Sequence, residues 1–210
     1  MSRDVRSHSD EPSPHRLSTR GRLARARGPV GTRKKLKSKV CLVGEVAVGK
    51  TSLINRYVQN MFDDRYIMTM GTKVSKKSVG LDDVKGNDVT LEMTIWDIMG
   101  EKGFRQLLKE AYFYGAQGVL AVCDLTRPTT LEDLDDWIDH VIKVVGEVPV
   151  YIAVNKADLT SGARFDADAV QAFAKAYGAP YGFTSAKTGA GVEDAFAAIG
   201  RAMALAQLKA

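Results

Sequence analysis

One run of residues in the first quarter of the chain has the types and spacing of a loop that wraps a phosphate chain. The segment from Gly44 to Thr51 fits G-x-x-x-x-G-K-[ST] and lies between a short apolar run and a helical pattern. Glycines let backbone N–H groups approach phosphate oxygens, and the following helix presents its positive dipole end to them. Lys50 would reach the β and γ oxygens, and the Thr51 hydroxyl would ligate Mg²⁺. The pattern favours a nucleoside triphosphate site over a simple Gly-containing turn, with a predicted binding set of Gly44, Glu45, Val46, Ala47, Val48, Gly49, Lys50, Thr51 and Ser52.

A second motif indicates which base is bound. Asn155, Lys156 and Asp158 form N-K-x-D directly after an apolar run. The Asp158 carboxylate can accept from both N1–H and the 2-amino group of guanine, whereas adenine offers neither donor. Buried polar sites reject such analogues by about 10⁴ or more. Asn155 can bond the purine edge, and the Lys156 stem can lie over the ring.

The guanine prediction extends to a third segment, Ser185-Ala186-Lys187, which follows the next apolar run. One of its backbone N–H groups could donate to the guanine O6 atom. N-K-x-D alone is a weak pattern, and an exposed polar loop is the alternative. Its position after a strand and downstream of the phosphate loop favours GTP and GDP as ligands.

The elements that must position these motifs alternate between strand and helix patterns. Such alternation predicts an α/β fold, a three-layer sandwich of the P-loop NTPase type. Its six-stranded, mostly parallel sheet has one antiparallel strand, and helices cover both faces. Ligands bind beyond the carboxyl ends of such strands, where the motifs lie. The predicted strands are Val40–Val43, Lys73–Leu81, Val89–Trp96, Gly118–Cys123, Pro149–Val154 and Tyr181–Thr184, and the predicted helices are Thr51–Gln59, Thr130–Val145, Ala167–Tyr177 and Gly191–Leu208.

Charge divides the chain into two regions. The net charge is +5, but residues 1–39 hold 12 Lys and Arg against three Asp and Glu, whereas the remainder holds 18 against 22. Rich in Arg, Ser, Pro and Gly, residues 1–37 are predicted to be a disordered basic arm, and 38–210 the GTP-binding domain. The arm could contact an anionic membrane, nucleic acid or an acidic protein, or have no function.

Cysteine content and hydropathy bear on the compartment. No apolar stretch reaches the roughly 18 residues that a membrane span needs. Cys41 and Cys123 both lie in apolar runs, which favours reduced thiols and a cytoplasmic protein. Neither end carries a lipidation pattern, so we expect an unlipidated protein. We also expect a monomer.

With these residues identified, the chain resembles a Ras-superfamily small GTPase, nearest to Rab-like and Arf-like members, over about residues 38–205. The resemblance rests on the phosphate loop, Trp96-Asp97-x-x-Gly100, the N-K-x-D motif and Ser185-Ala186-Lys187, all in family order. The absence of a lipidation pattern suggests a prokaryotic or otherwise unlipidated member.

The resemblance implies roles that spacing alone does not assign. Thr69 resembles the threonine that ligates Mg²⁺ and senses the γ-phosphate, although an ordinary exposed loop threonine is the alternative. Phe62 resembles the aromatic that packs edgewise on guanine, with a core residue as the alternative. Asp97 resembles the magnesium-shell aspartate, and Gly100 the glycine whose N–H binds the γ-phosphate. The predicted metal ligands are Thr51, Thr69 and Asp97, and the predicted catalytic residues are Lys50, Thr69, Gly100 and Glu101.

Two positions depart from the family pattern. Glu101 stands where Ras-like proteins usually carry the glutamine that orients the attacking water. An ionised glutamate only accepts hydrogen bonds and adds negative charge near the γ-phosphate. Val46 occupies a crowded loop position where Ras has glycine. We therefore expect slow intrinsic hydrolysis; the alternatives are a GTP-dependent binding module with negligible hydrolysis, or a site in which other groups do this work.

Partner binding is expected at the two switch segments, around Thr69 and Glu101. Four methionines, Met61, Met68, Met70 and Met99, lie in or beside these segments. Flexible thioethers suit surfaces that repack on effectors and regulators. The alternative is that they fill gaps beneath the loops. Ordering of both segments by the γ-phosphate is what the resemblance implies.

Overall fold

The computed structural model describes residues 33–65, 67–100, 111–165 and 167–209. Residues 1–32 of the basic arm lie outside these ranges, and so does Glu101. The predictions for both therefore remain predictions.

Within the described ranges, six strands form one sheet: β1 (Lys34–Val43), β2 (Thr72–Val84), β3 (Asn87–Ile98), β4 (Gly118–Asp124), β5 (Val150–Asn155) and β6 (Tyr181–Phe183). Their order in the sheet is β2-β3-β1-β4-β5-β6. Strand β2 pairs antiparallel with β3, and all other neighbours pair parallel. The central strand β4 consists entirely of buried residues, as expected for a parallel strand covered on both faces. The predicted fold class is confirmed.

Strand β1 begins at Lys34, inside the segment that the sequence analysis assigned to the arm. Its first residues pair with β3, from Lys34 opposite Val89. Leu36 and Ser38 point toward the core while the intervening lysines stay exposed, which is the period-two pattern of a half-buried strand. The lysine content concealed this alternation, and β1 begins four residues before the domain boundary predicted at residue 38.

The connection between β2 and β3 is a two-residue turn at Lys85 and Gly86. Both have positive φ, 51° and 75°, as a tight hairpin requires. The seven-residue linker predicted between the two strands is therefore mostly strand. The pairing register shifts between Leu81 and Val84, and the predicted antiparallel arrangement is confirmed.

Helices cover both faces of the sheet. The α-helices with complete bounds are α1 (Lys50–Gln59), α2 (Thr129–Glu132), α3 (Leu134–Val145), α4 (Ala167–Ala176) and α5 (Val192–Gln207), with a 3₁₀ turn at Thr160–Gly162. The single helix predicted over 130–145 is two helices separated by Asp133. One core cluster lies under α1 and α5, where the rings of Tyr57 and Phe196 stack with centroids 3.9 Å apart. The other lies under α3 and α4 and includes the buried Trp137.

Cys41 and Cys123 are buried free thiols. Among the described residues, none of the helices combines the length and the apolar character needed to cross a bilayer.

Candidate functional site

The phosphate loop leaves β1 at Gly44 and enters α1 at Lys50. Gly44 has a φ of 134°, and a Cβ atom there would lie 2.1 Å from the Val122 carbonyl oxygen. Gly49 has a φ of 98°, and its Cβ would lie 2.3 Å from Nδ2 of Asn155. Both positions require glycine, because a side chain would separate the loop from β4 or from the N-K-x-D segment.

Lys50 lies across the inside of this loop and is nearly fully buried. Its ammonium donates to the carbonyl oxygens of Gly44 at 2.7 Å and Glu45 at 2.9 Å. Burial lowers the pKa of Lys50 to about 8, although the Asp97 and Glu45 carboxylates oppose the shift. A buried cation that lacks a full complement of anionic partners is suited to bind phosphate oxygens.

The three predicted metal ligands meet at one point. The Thr51 hydroxyl donates to Oδ2 of Asp97 at 2.5 Å, and its oxygen lies 2.9 Å from the Thr69 hydroxyl oxygen. Because Thr51 has one hydroxyl hydrogen, Thr69 must be the donor in the second bond. The site therefore joins α1, β3 and the segment 67–71 that carries Thr69.

Asp97 carries the clearest indication of a missing partner. Its Oδ1 atom is buried and accepts no hydrogen bond from the described part of the chain. Burial raises the pKa of Asp97, while the Thr51 hydrogen bond and the charge of Lys50 oppose the increase. An unpaired buried carboxylate oxygen beside two hydroxyls is a set of hard oxygen donors, and these residues fit Mg²⁺.

Gly100 closes the loop from the β3 side. A Cβ atom at this position would lie 2.6 Å from the backbone nitrogen of Val46 and 2.6 Å from the carbonyl carbon of Glu45. Glycine is therefore needed for the end of β3 to approach the phosphate loop. This contact places Gly100 beside the phosphate loop, as the predicted γ-phosphate role requires.

The two loops predicted to bind the base, residues 155–158 and 185–187, are linked to each other by side-chain hydrogen bonds. They form the base side of the site. Asn155 donates through Nδ2 to the Val48 carbonyl at 2.8 Å, and its Oδ1 accepts from the Ala186 N–H at 3.3 Å. The Ser185 hydroxyl donates to Oδ1 of Asp158 at 2.6 Å. Asn155 thus holds the phosphate loop and the 185–187 loop together, while Asp158 is oriented by the latter.

A buried carboxylate at the end of β4 links the base side to the phosphate loop. Oδ2 of Asp124 lies 2.7 Å from the Lys156 ammonium and accepts from Nε of Arg127 at 2.9 Å. Nη2 of Arg127 donates to the Val46 carbonyl at 2.9 Å. Burial opposes ionisation, but hydrogen bonds from Lys156, Thr126 and Arg127 outweigh it and lower the pKa of Asp124. The Lys156 ammonium is therefore held at one defined position.

These elements surround a cavity of about 700 Å³, a volume typical of small-molecule sites. Phe62 packs against the core beneath, as the alternative interpretation expected, and it also lines the cavity, so its contact with guanine stays a prediction. Of the predicted residues, Val46, Ala47, Gly49, Lys50, Thr51, Ser52, Phe62, Thr69, Asp97, Gly100, Asn155, Lys156, Asp158, Ala186 and Lys187 line the cavity. Four other predicted residues do not line the cavity but support it through hydrogen bonds: Gly44, Glu45, Val48 and Ser185. The Glu45 carboxylate accepts a hydrogen bond from the indole N–H of Trp137.

Several residues at this site were missed from the sequence. Asn55 and Leu159 line the cavity, and Asp124, Arg127 and Arg56 support it. Asp124 had a usable signal, because it ends a buried strand at the ligand-binding edge of the sheet. Nothing local in the sequence distinguishes Arg56 or Arg127 from other surface arginines.

The segment that carries Thr69 exposes apolar side chains. Ile67 is 74% exposed and Met70 86%, and Met61 and Met68 are also exposed. These three methionines do not fill gaps beneath the loop, so that alternative is wrong for them. Met99 is half-buried and lines the cavity.

Comparison with known proteins agrees with this geometry. The Ras family model matches residues 39–205. The chain is 31% identical over 164 residues to the Ras-related protein Rab-1D of Dictyostelium discoideum, with 78% of each chain covered. It is 34% identical over 168 residues to the Ras-related protein Rab-7b of Mus musculus, covering 78% of this chain and 81% of that protein. The chain therefore belongs to the Ras family of small GTP-binding proteins, which are GTPases.

Proposed function

We propose that this GTPase is a slowly hydrolysing switch whose segments around Thr69 and Glu101 report the γ-phosphate to partner proteins. In this proposal Lys50 and the surrounding loop bind the phosphates. Thr51, Thr69 and Asp97 hold Mg²⁺, and Asp158 selects guanine. When bound, the metal would neutralise phosphate charge.

The observation that carries the proposal is the pair of bonds made by the Thr51 hydroxyl, to Asp97 and Thr69. Through them Thr69 is attached to the groups proposed to bind the metal. Ile67 and Met70, on either side of Thr69, are exposed. A change in what Thr69 binds therefore changes the position of apolar side chains that a partner would contact.

The slow rate is inferred from two side chains. Val46 lines the cavity and its carbonyl is held by Arg127, so the loop cannot shift freely to relieve crowding at the γ-phosphate. Glu101, by its sequence position, would place a carboxylate where a water-orienting amide is usual.

Single-turnover hydrolysis of GTP by Glu101→Gln tests the slow rate. We expect phosphate release about tenfold faster than in the unmodified protein, since positioning one water-orienting group contributes at least that much. Equal or slower release would contradict the role of Glu101. If neither protein releases phosphate and the natively purified protein retains GTP, the chain acts as a GTP-dependent binding module instead.

A further inference from the structure

Arg56, in the last turn of α1, contacts two segments that border the cavity from different sides. Its Nε donates to the Ala186 carbonyl at 2.8 Å and its Nη2 to the Lys187 carbonyl at 2.6 Å. Its Nη1 donates to Oδ1 of Asn60 at 3.0 Å and to the Asn60 carbonyl at 3.3 Å. A guanidinium group has five N–H donors, so the Arg56 side chain can bond all four of these acceptors at once.

The bond to the Ala186 carbonyl has a consequence for the neighbouring N–H group. In a planar trans peptide the C=O and N–H bonds point in opposite directions. The N–H of Lys187 shares its peptide plane with the Ala186 carbonyl, so Arg56 turns this N–H away from itself. Ala186 and Lys187 line the cavity, whereas Arg56 does not. The Lys187 N–H therefore points away from Arg56 and belongs to a residue that lines the cavity.

We propose that Arg56 is a positioning residue for the base: it aims the Lys187 N–H at the O6 carbonyl of guanine. The proposal rests on the proposed placement of guanine against Asp158. The Ala186 N–H is already engaged by Oδ1 of Asn155 at 3.3 Å. The Lys187 N–H has no such acceptor among the described residues, which leaves it available for the ligand.

Nη1 of Arg56 fixes Asn60, the residue at which the chain leaves α1 toward Thr69. Asn60 ends α1 in a left-handed conformation, with a φ of 53°. Two residues later Phe62 lines the cavity beside the expected position of the base. By bonding Asn60 as well as the 185–187 loop, Arg56 sets the spacing between the two protein surfaces that contact guanine.

Arg201 supplies a matched control. This arginine of α5 also donates to two consecutive carbonyls, Asp82 at 2.6 Å and Asp83 at 3.1 Å. These belong to the β2–β3 hairpin, and neither of them nor Arg201 is among the residues that line the cavity. Arg56→Met and Arg201→Met thus remove the same kind of interaction, but only the bonds of Arg56 hold residues that line the cavity.

The first measurement is the rate of GDP release at fixed Mg²⁺ concentration. We expect release to be about tenfold faster in Arg56→Met, intermediate in Arg56→Lys and unchanged in Arg201→Met, because charge-assisted bonds to the base loop are lost only in the Arg56 variants. Thermal unfolding of all variants controls for general destabilisation. Equal release rates in the Arg56→Met and Arg201→Met variants would overturn the proposal.

The second measurement separates a role at O6 from a merely structural one. In 6-thio-GDP a sulfur, a weak acceptor, replaces O6, whereas IDP keeps O6 and lacks the 2-amino group that Asp158 would bind. In Arg56→Met the advantage of GDP over 6-thio-GDP should shrink severalfold, while its advantage over IDP stays unchanged. If both ratios keep their original values, Arg56 does not act through O6. If the unmodified protein fails to prefer GDP over IDP, the guanine placement itself is wrong.

Discussion

The cavity has a base side, formed by residues 155–158 and 185–187, and a metal side, formed by Thr51, Thr69 and Asp97. The two sides differ in how many of their polar groups have hydrogen-bond partners within the described part of the protein. On the base side, the Asn155 amide bonds the phosphate loop and the 185–187 loop, Asp158 accepts from Ser185, and Lys156 pairs with the buried Asp124. On the metal side, Asp97 keeps one buried carboxylate oxygen without a partner in the described part of the chain.

This difference indicates that the two sides do different work. In the proposed placement of guanine, a base side held by its own hydrogen bonds needs little reorganisation, so it can supply selectivity and affinity in every nucleotide state. In the proposal a cation completes the metal side, and within the described part of the chain Thr69 is attached to that side through one hydroxyl contact, in which it donates to Thr51. We therefore expect the response to the γ-phosphate to be confined to the metal side.

The largest expected effect is a change of base preference in Asp158→Asn. An amide cannot accept from both guanine donors, but it can donate to the 2-oxo group of xanthine. The preference for GDP over XDP should fall by about 10⁴. Competition binding measures it, with Asp168→Asn, an exposed residue in the first turn of α4, as the control. An unaltered preference would mean that the base side does not select guanine.

Lys50→Met should lower the affinity for GDP by about 100-fold or more, because it removes a buried charge that pairs with phosphate while keeping the apolar stem. Calorimetric titration with GDP would measure this loss. Lys143→Met, in the exposed last turn of α3, is the control. If GDP affinity survives in Lys50→Met, the phosphates lie elsewhere.

Asp97→Asn should have opposite effects on metal response and on folding. Mg²⁺ should slow GDP release about tenfold less in this variant than in the unmodified protein, because the amide is a poorer metal ligand. Without nucleotide, its free energy of unfolding should rise by about 1 kcal/mol, because a buried charge is neutralised. Release rates during a Mg²⁺ titration and urea unfolding measure the two effects. A less stable variant would contradict the conclusion that burial of the Asp97 carboxylate is unfavourable to folding.

The smallest effect is expected for Thr69→Ala. Release of a slowly hydrolysed GTP analogue should accelerate about threefold with little change for GDP, because one hydroxyl bond on the metal side is lost while Thr51 still bonds Asp97. Thr69→Ser keeps the hydroxyl and should behave as the unmodified protein. If GDP release accelerates as much, Thr69 does not distinguish the two nucleotides.

Much of this arrangement could be predicted because its signals are local. A few neighbouring residues are enough to recognise the glycines of the phosphate loop and the polar residues that follow β5. The same is true of each strand or helix pattern, and together these patterns give the order of the elements. The confirmed fold follows from that order, because parallel strands joined by helices can be arranged in few ways. The start of β1 at Lys34 was missed, because only pairing with β3 shows that its lysines alternate with core-facing residues.

The sequence by itself determined the family and with it the ligand class, and it predicted most of the residues that line the cavity, because close approach to phosphate and recognition of guanine each demand particular residue types at short spacing. Tertiary structure alone decided which groups support them. Arg56 meets a loop 130 residues away, Arg127 reaches the Val46 carbonyl, and one oxygen of Asp97 has no partner among the described residues. Such contacts depend on how distant elements pack and on which partners burial removes, and no short stretch of sequence specifies either.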